Sequence, residues 1–395
     1  MLKNHKINLF LLLLCYACNN YSDVSNLSQQ AFPHGKFQLD SLSTFTIPID
    51  KETPFEVHSL NYFSYEGGKF LAFLNTMNNS VYLYNYELRE LIKKIPLQAE
   101  GPDGVGDQTE NNGFFMDTPE HFYLLNSRRD ILFNIDDQGK ILESLNLRSG
   151  KEFEEYDLQP FTENGHPIIR AGNSLVIPGR FGNFAAIRDF NELPALLFVK
   201  IEPLSNPVWR GRMPDFFNQN FYSLHNYSYE PTYCLDFDEK NLLVAWPVSA
   251  DIYSLSNNQI SLSGAPVSPG VGPLTNPMSN DFSDYHKPVS DFLPHDKYTI
   301  TTDCYHKLIR LNHNFILREV FDRPGAENFN KRKYMPKSSF MIINNHFDNM
   351  GETTLSGGHR FNIYFTNEKG LHIARETENE NSLSFTIYQV SELQK

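Results

Sequence analysis

The sequence predicts an all-β chain folded as a six-bladed β-propeller, its ring closed by pairing of the N- and C-terminal strands. Three observations carry this expectation: an aromatic and turn-rich composition, a near absence of long 3.6-residue periodicity, and a strand-turn-strand passage that recurs along the chain. The 395 residues include 32 Phe, 20 Tyr, 22 Gly and 23 Pro, a mixture suited to short strands separated by turns. A four-stranded unit of ~40 to 50 residues cannot bury both of its faces alone, whereas packing such sheets radially buries them and closing the ring leaves only short edges. Two stacked β-sandwich domains are the alternative. They call for a mid-chain linker, and the chain offers only a Pro/Gly/Ser-rich loop at 263–277, inside the fourth unit.

The elements follow in order. Lys3, His5 and Lys6 precede an apolar run over 7–14 and then Cys15-Tyr16-Ala17-Cys18. A basic start and an apolar core too short to span a bilayer permanently read as a secretory signal over 1–17. Ala17 before Cys18 resembles a bacterial lipobox, which makes Cys18 the lipid-bearing first residue of the exported chain; ordinary signal cleavage and an uncleaved anchor are the other readings. Acyl chains contribute about 0.8 kcal/mol per buried methylene, so more than one holds a domain on a membrane face. Residues 18–35 are polar and serve as the lipidated tether, and the propeller domain takes 36–395. The stretches 37–48 and 382–390 both alternate like strands, so one is expected to complete the other's blade.

Between them lie the repeats. Phe70-Leu71-Ala72-Phe73-Leu74-Asn75, a turn at Asn78-Asn79 and Val81-Tyr82-Leu83-Tyr84 match Phe122-Tyr123-Leu124-Leu125-Asn126, a turn at Arg128-Arg129-Asp130 and Ile131-Leu132-Phe133-Asn134-Ile135 almost position for position. Weaker copies start near Leu175, Leu242, Thr299 and Phe361. In the copy at Thr299, residues 298–303 read as one strand, 307–311 as the next and 316–321 as the outer one.

Lys and Arg number 34 against 47 Asp and Glu, a net charge of −13. Such a surface repels phosphate backbones, so nucleic acid is not an expected partner, while neutral or cationic ligands are accommodated more easily. Solubility explains the same charge. Past Cys18 only Cys234 and Cys304 remain, and they suit either one disulfide or two buried thiols; no spacing suggests zinc.

Chemical motifs are sparse. Gly101-Pro102-Asp103-Gly104-Val105-Gly106 has the glycines of a phosphate loop but no Lys-Ser/Thr pair and no helix to follow, so it reads as a turn between blades that needs positive φ. Asp103, Asp107 and Glu110 do not follow the order of a calcium loop. With no HExxH and no GxSxG, neither a catalytic residue nor a metal or cofactor is expected. Arg180, Trp209, Tyr233 and Trp246 are the candidates for ligand contact at the propeller mouth, with His359 and Arg360 at a hairpin tip. Aromatic faces stack on sugar rings while arginine donates to hydroxyls. The structural alternative is that these aromatics fill the wedges between blades.

The lipobox, the blade repeat and the run Ala99-Glu100-Gly101-Pro102-Asp103-Gly104-Val105-Gly106 together resemble the exported lipoproteins of domain-of-unknown-function family 4221, TolB-like six-bladed propellers of Bacteroidota. The resemblance covers roughly 18–390 and implies fold and cell-envelope location; the family's function is unassigned. The resulting expectation is a membrane-anchored, extracytoplasmic binding or scaffold module for a glycan, small molecule or protein partner, located on the periplasmic face or cell surface. The rival is a carbohydrate-active enzyme, a glycoside hydrolase or polysaccharide lyase. Two carboxyl groups facing each other would favour hydrolysis, and a mouth of aromatic and amide groups would favour binding. A purely structural envelope component would instead show a large apolar patch.

Overall fold

The computed structural model describes residues 35–395 apart from 55–56, 109–111, 149–154, 224, 257–258, 287–292, 324–336, 356–357, 377–378 and 394–395. The signal, Cys18 and nearly all of the tether fall outside the described residues, as do Glu110 of the acidic loop and Gly357 of the hairpin tip.

Six antiparallel sheets form the six blades. Blade 1 is β2 (His58–Tyr65), β3 (Gly68–Asn75), β4 (Ser80–Asn85) and β5 (Glu90–Pro96). Blade 2 is β6 (Gly113–Phe115), β7 (His121–Asn126), β8 (Ile131–Asp136) and β9 (Ile141–Asn146). Blade 3 comprises β10 (Leu158–Pro160) and β11 (Ile169–Ala171), both on β12 (Ser174–Phe181), then β13 (Pro194–Ile201) and β14 (Leu204–Arg212). Blade 4 is β15 (Thr232–Leu235), β16 (Leu242–Ala245), β17 (Ile252–Ser256) and β18 (Gln259–Gly264). Blade 5 is β19 (Cys304–Arg310), β20 (Phe315–Asp322), β21 (Lys337–Asn344) and β22 (Asn349–Thr354). Blade 6 is β23 (His359–Asn367), β24 (Gly370–Arg375) and β25 (Ser382–Glu392), completed on its outer edge by β1 (Phe37–Pro48). The closure is a full ladder from Phe37 opposite Glu392 to Pro48 opposite Ser382.

Period-2 alternation explains why sheets of this sequence stack into a ring. Along β3 and β4, Leu71, Phe73, Tyr82 and Tyr84 pack toward blade 6, while Ala72, Leu74, Val81 and Leu83 pack toward blade 2. The same division recurs at every interface, giving six hydrophobic clusters, one between each pair of neighbouring blades. Central strands therefore bury both faces and read as nearly continuous apolar runs, whereas the outer strands β9 and β18 keep alternating or mostly polar, exposed positions. Each large side chain so buried contributes about 1.5–3 kcal/mol.

The fifth and sixth copies are offset from the sequence expectation. Residues 298–303 are not a strand, because helix α2 spans Leu293–Thr301, the short helix α1 (Phe216–Gln219) having come before it in the chain. The β-branched and aromatic residues Tyr298, Thr299, Ile300 and Thr301 favour a strand locally, and tertiary packing overrides them. The segment 307–311 instead lies mostly in the first strand of blade 5, and 316–321 in its second rather than its outer one. Phe361 likewise sits in the first strand of blade 6. Of the stretch 263–277, residues 263–264 still belong to β18, the outer strand of blade 4, and the remainder leaves it toward blade 5, where Ser268 hydrogen-bonds Glu352.

The run at 99–106 is the turn from blade 1 to blade 2. Gly101 and Gly106 have φ of 95° and 82°, and a Cβ on Gly104 would sit 2.7 Å from the backbone of Glu100. Val105 is fully buried, and its carbonyl accepts from Asn126 Nδ2 at 2.7 Å. Cys234 and Cys304 are unpaired, buried thiols.

Candidate functional site

The connection from β10 to β11 does not stay with its own blade. Asn164 accepts from Ser59 N (2.7 Å) and donates to the Val57 carbonyl (3.0 Å), tying the connection to blade 1. Thr162 packs against Gly113 of blade 2, Pro167 O accepts from Tyr233 OH of blade 4 at 2.6 Å, and Gly165 adjoins His306 and Lys307 of blade 5. A segment in contact with four other blades lies across the centre of the ring. Its tip is a two-residue turn, Asn164-Gly165, with a His166 N to Glu163 O bond of 2.9 Å, and this turn sets the Glu163 and His166 side chains beside each other.

A cleft of about 420 Å³ opens at this point, lined by Glu163, Arg180, His225, Tyr227, Glu230, Asp296, Thr299 and Ile300. Its walls come from the central turn, from the end of β12, from the approach to β15 and from α2. Ion pairs hold the lining in place: Arg180 Nε to Glu230 Oε1 at 2.7 Å, His166 Nδ1 to Glu163 Oε1 at 2.9 Å, and His225 Nε2 to Asp296 Oδ1 at 2.8 Å. Arg180 also lies over the Phe161 ring, 4.3 Å from its centroid.

The two glutamates are pushed apart electrostatically. Burial works to raise the Glu163 carboxyl, but the His166 hydrogen bond and the neighbouring charges of His166 and Arg180 outweigh it and bring it down to about 2. Burial dominates at Glu230 and raises it above the usual carboxylate range despite Arg180. Beneath them, buried Glu319 accepts from Lys307 Nζ at 2.8 Å and pairs with His306 Nδ1 at 2.7 Å. Burial and the adjacent Lys307 hold His306 down to about 4.

Glu163, His166 and Glu230 each offer a ligand atom, and these atoms lie within 4.8 Å of one another. One imidazole and two carboxylates could hold a metal ion. This trio was not visible in the sequence, because Glu230 is remote in the chain; the local signal was the Glu-Asn-Gly-His turn.

The structure separates the residues singled out from sequence. Arg180 lines the cleft, and Tyr233 lies behind it, buried, with its hydroxyl spent on Pro167. Trp246 has no exposed surface and packs with Phe217 and Tyr253 between blades 3 and 4. Trp209 is on β14, the outer strand of blade 3, half-buried against Gly179. His359 lines a separate cleft of about 400 Å³ on blade 6, beside β1, and bonds Tyr388 OH at 2.9 Å; Arg360 follows it, half-buried. The mouth is thus charged, not mainly aromatic and amide. Among the described residues, no helix is long and apolar enough to cross a membrane.

A family model described as "Domain of unknown function (DUF4221)" matches residues 35–264. The fold is similar to the crystal structure of a DUF4221 family member from Bacteroides vulgatus, with a TM-score of 0.71 at 16% identity, over 91% of this chain and 100% of that one. It is also similar to a putative exported protein from Bacteroides fragilis, with a TM-score of 0.51 at 11% identity, over 91% of this chain and 96% of the other. No curated protein matches the chain in sequence.

Proposed function

The chain belongs to the DUF4221 family, and from that premise we propose that it is an exported, lipid-anchored binding module that holds a small polyhydroxylated ligand, of the saccharide class, in the charged cleft at the centre of the ring. The observation that carries this reading is the cleft lining itself: carboxylates that accept from hydroxyls, a guanidinium that donates, and mutual ion pairs that fix both before a ligand arrives. Tyr227 adds an apolar edge. The anchor rests on the lipobox pattern at Cys18, and Cys18→Ser should abolish acylation, read as loss of the lipid mass and of membrane association. An unchanged membrane fraction would contradict the anchor.

The binding test is a panel of mono- to tetrasaccharides measured by calorimetry against the full chain. Asp296→Asn and Glu163→Gln, both at half-exposed groups, should each weaken the bound sugar about tenfold, as expected for one charge-assisted hydrogen bond. No binding to any member of the panel, or binding that ignores both changes, would defeat the reading.

A second reading draws on the glutamate pair. Glu163 and Glu230 are close, and their acidities are pushed in opposite directions, the arrangement by which one carboxyl acts as acid while the other stays ionised. If the module hydrolyses its sugar, reducing ends accumulate with the wild type and Glu230→Gln stops them.

A further inference from the structure

We propose that Glu163, His166 and Glu230 bind one divalent transition-metal ion, of the zinc class, at the floor of the central cleft. The inference deepens the binding reading and rests on the same cleft being the ligand site.

The donors are already assembled. Zinc holds nitrogen and carboxylate oxygen at about 2.0–2.2 Å, so ligand atoms within 4.8 Å of one another need only small side-chain rotations to share one ion. One imidazole with two carboxylates suits zinc, cobalt or manganese. Calcium asks for about 6–8 oxygens, which this trio does not supply.

His166 is the buried nitrogen donor of the trio. The residue is 2% exposed, and its Nε2 has no hydrogen-bond partner, although Nδ1 is engaged by Glu163. An ion shared with Glu163 and Glu230 takes the ring at Nδ1, in place of the Glu163 hydrogen bond, since Nε2 lies on the opposite side of the imidazole; that donor is already in position.

Charge agrees with this. The cleft lining contains three carboxylates, Glu163, Glu230 and Asp296, against one permanent cation, Arg180, which approaches Glu230 through Oε1. Three protein ligands leave a coordination position facing the cleft, where a ligand hydroxyl can bind.

The test uses the full chain, stripped with a chelator and titrated with Zn²⁺ by calorimetry, with Co²⁺ absorption as a second readout. The expected result is one saturable site per chain, weakened at least tenfold by Glu163→Gln and by Glu230→Gln, and unchanged by Asp296→Asn. Glu163 is half-exposed, so its isosteric variant keeps the test informative even where Glu230→Gln fails to fold. No saturable site, or a site indifferent to Glu163→Gln, overturns the inference. Sugar binding with no saturable zinc site sinks the metal while sparing the sugar reading. Zinc binding with no response to the saccharide panel does the reverse.

Discussion

His372 shows what single residues do in this ring. It is fully buried in blade 6, where Nδ1 faces the Gly370 carbonyl at 3.2 Å and Nε2 faces Tyr86 OH of blade 1 at 2.9 Å. With Nδ1 donating and Nε2 accepting, both partners are satisfied by the neutral ring. Burial holds the imidazole down to about 4, against about 6.5 in an unfolded chain. Between those values the unfolded chain takes up a proton that the folded one refuses. Stability is therefore complete above pH ~6.5 and falls as pH drops toward 4, by roughly 3 kcal/mol for this one group. Buried His306 shifts in the same direction. Urea denaturation at pH 7.5 and 4.5 checks this: His372→Gln, which keeps a donor and an acceptor but does not titrate, should lose roughly 2 kcal/mol less than the wild type. Equal losses would mean that His372 is not held neutral.

At the scale of the element, β1 decides whether the ring is closed. Phe45 on β1 is 3% exposed and stacks on Tyr86 of blade 1 at 4.5 Å, so the strand that completes blade 6 also fills the wedge beside blade 1. Phe45→Ala should cost about 3–5 kcal/mol. Leu42, on the same strand but 57% exposed, should tolerate alanine within about 0.5 kcal/mol. Thermal unfolding of the two variants distinguishes a structural closure from a loosely attached strand, for which both changes would be small. The closure was legible in the alternation of 37–48 and 382–390. So were the first two blades, whose apolar residues alternate between two interblade cores and leave a repeated pattern. The strand reading of 298–303 failed because local β-propensity pointed one way and the packing of α2 the other. Tyr233 and Trp246, read as ligand contacts, occupy the wedges instead, since a radial ring needs large side chains there.

For the whole molecule, the central turn at 163–166 gives the ring a chemically distinct middle. Six blades each contribute little to it; one inserted connection from blade 3 reaches four of the others and, with the approach to β15 and with α2, assembles a charged cleft. Arg180 was visible in advance because an arginine among aromatics stands out in the sequence. Glu163, His166, Glu230 and Asp296 were not, because only the fold brings such separated residues together. The most direct measurement is the structure of the chain with the tightest-binding oligosaccharide of the panel. The account predicts the sugar against Arg180, Glu230 and Asp296 in the central cleft. Sugar seated only in the blade 6 cleft beside His359, or on an outer strand, would contradict it.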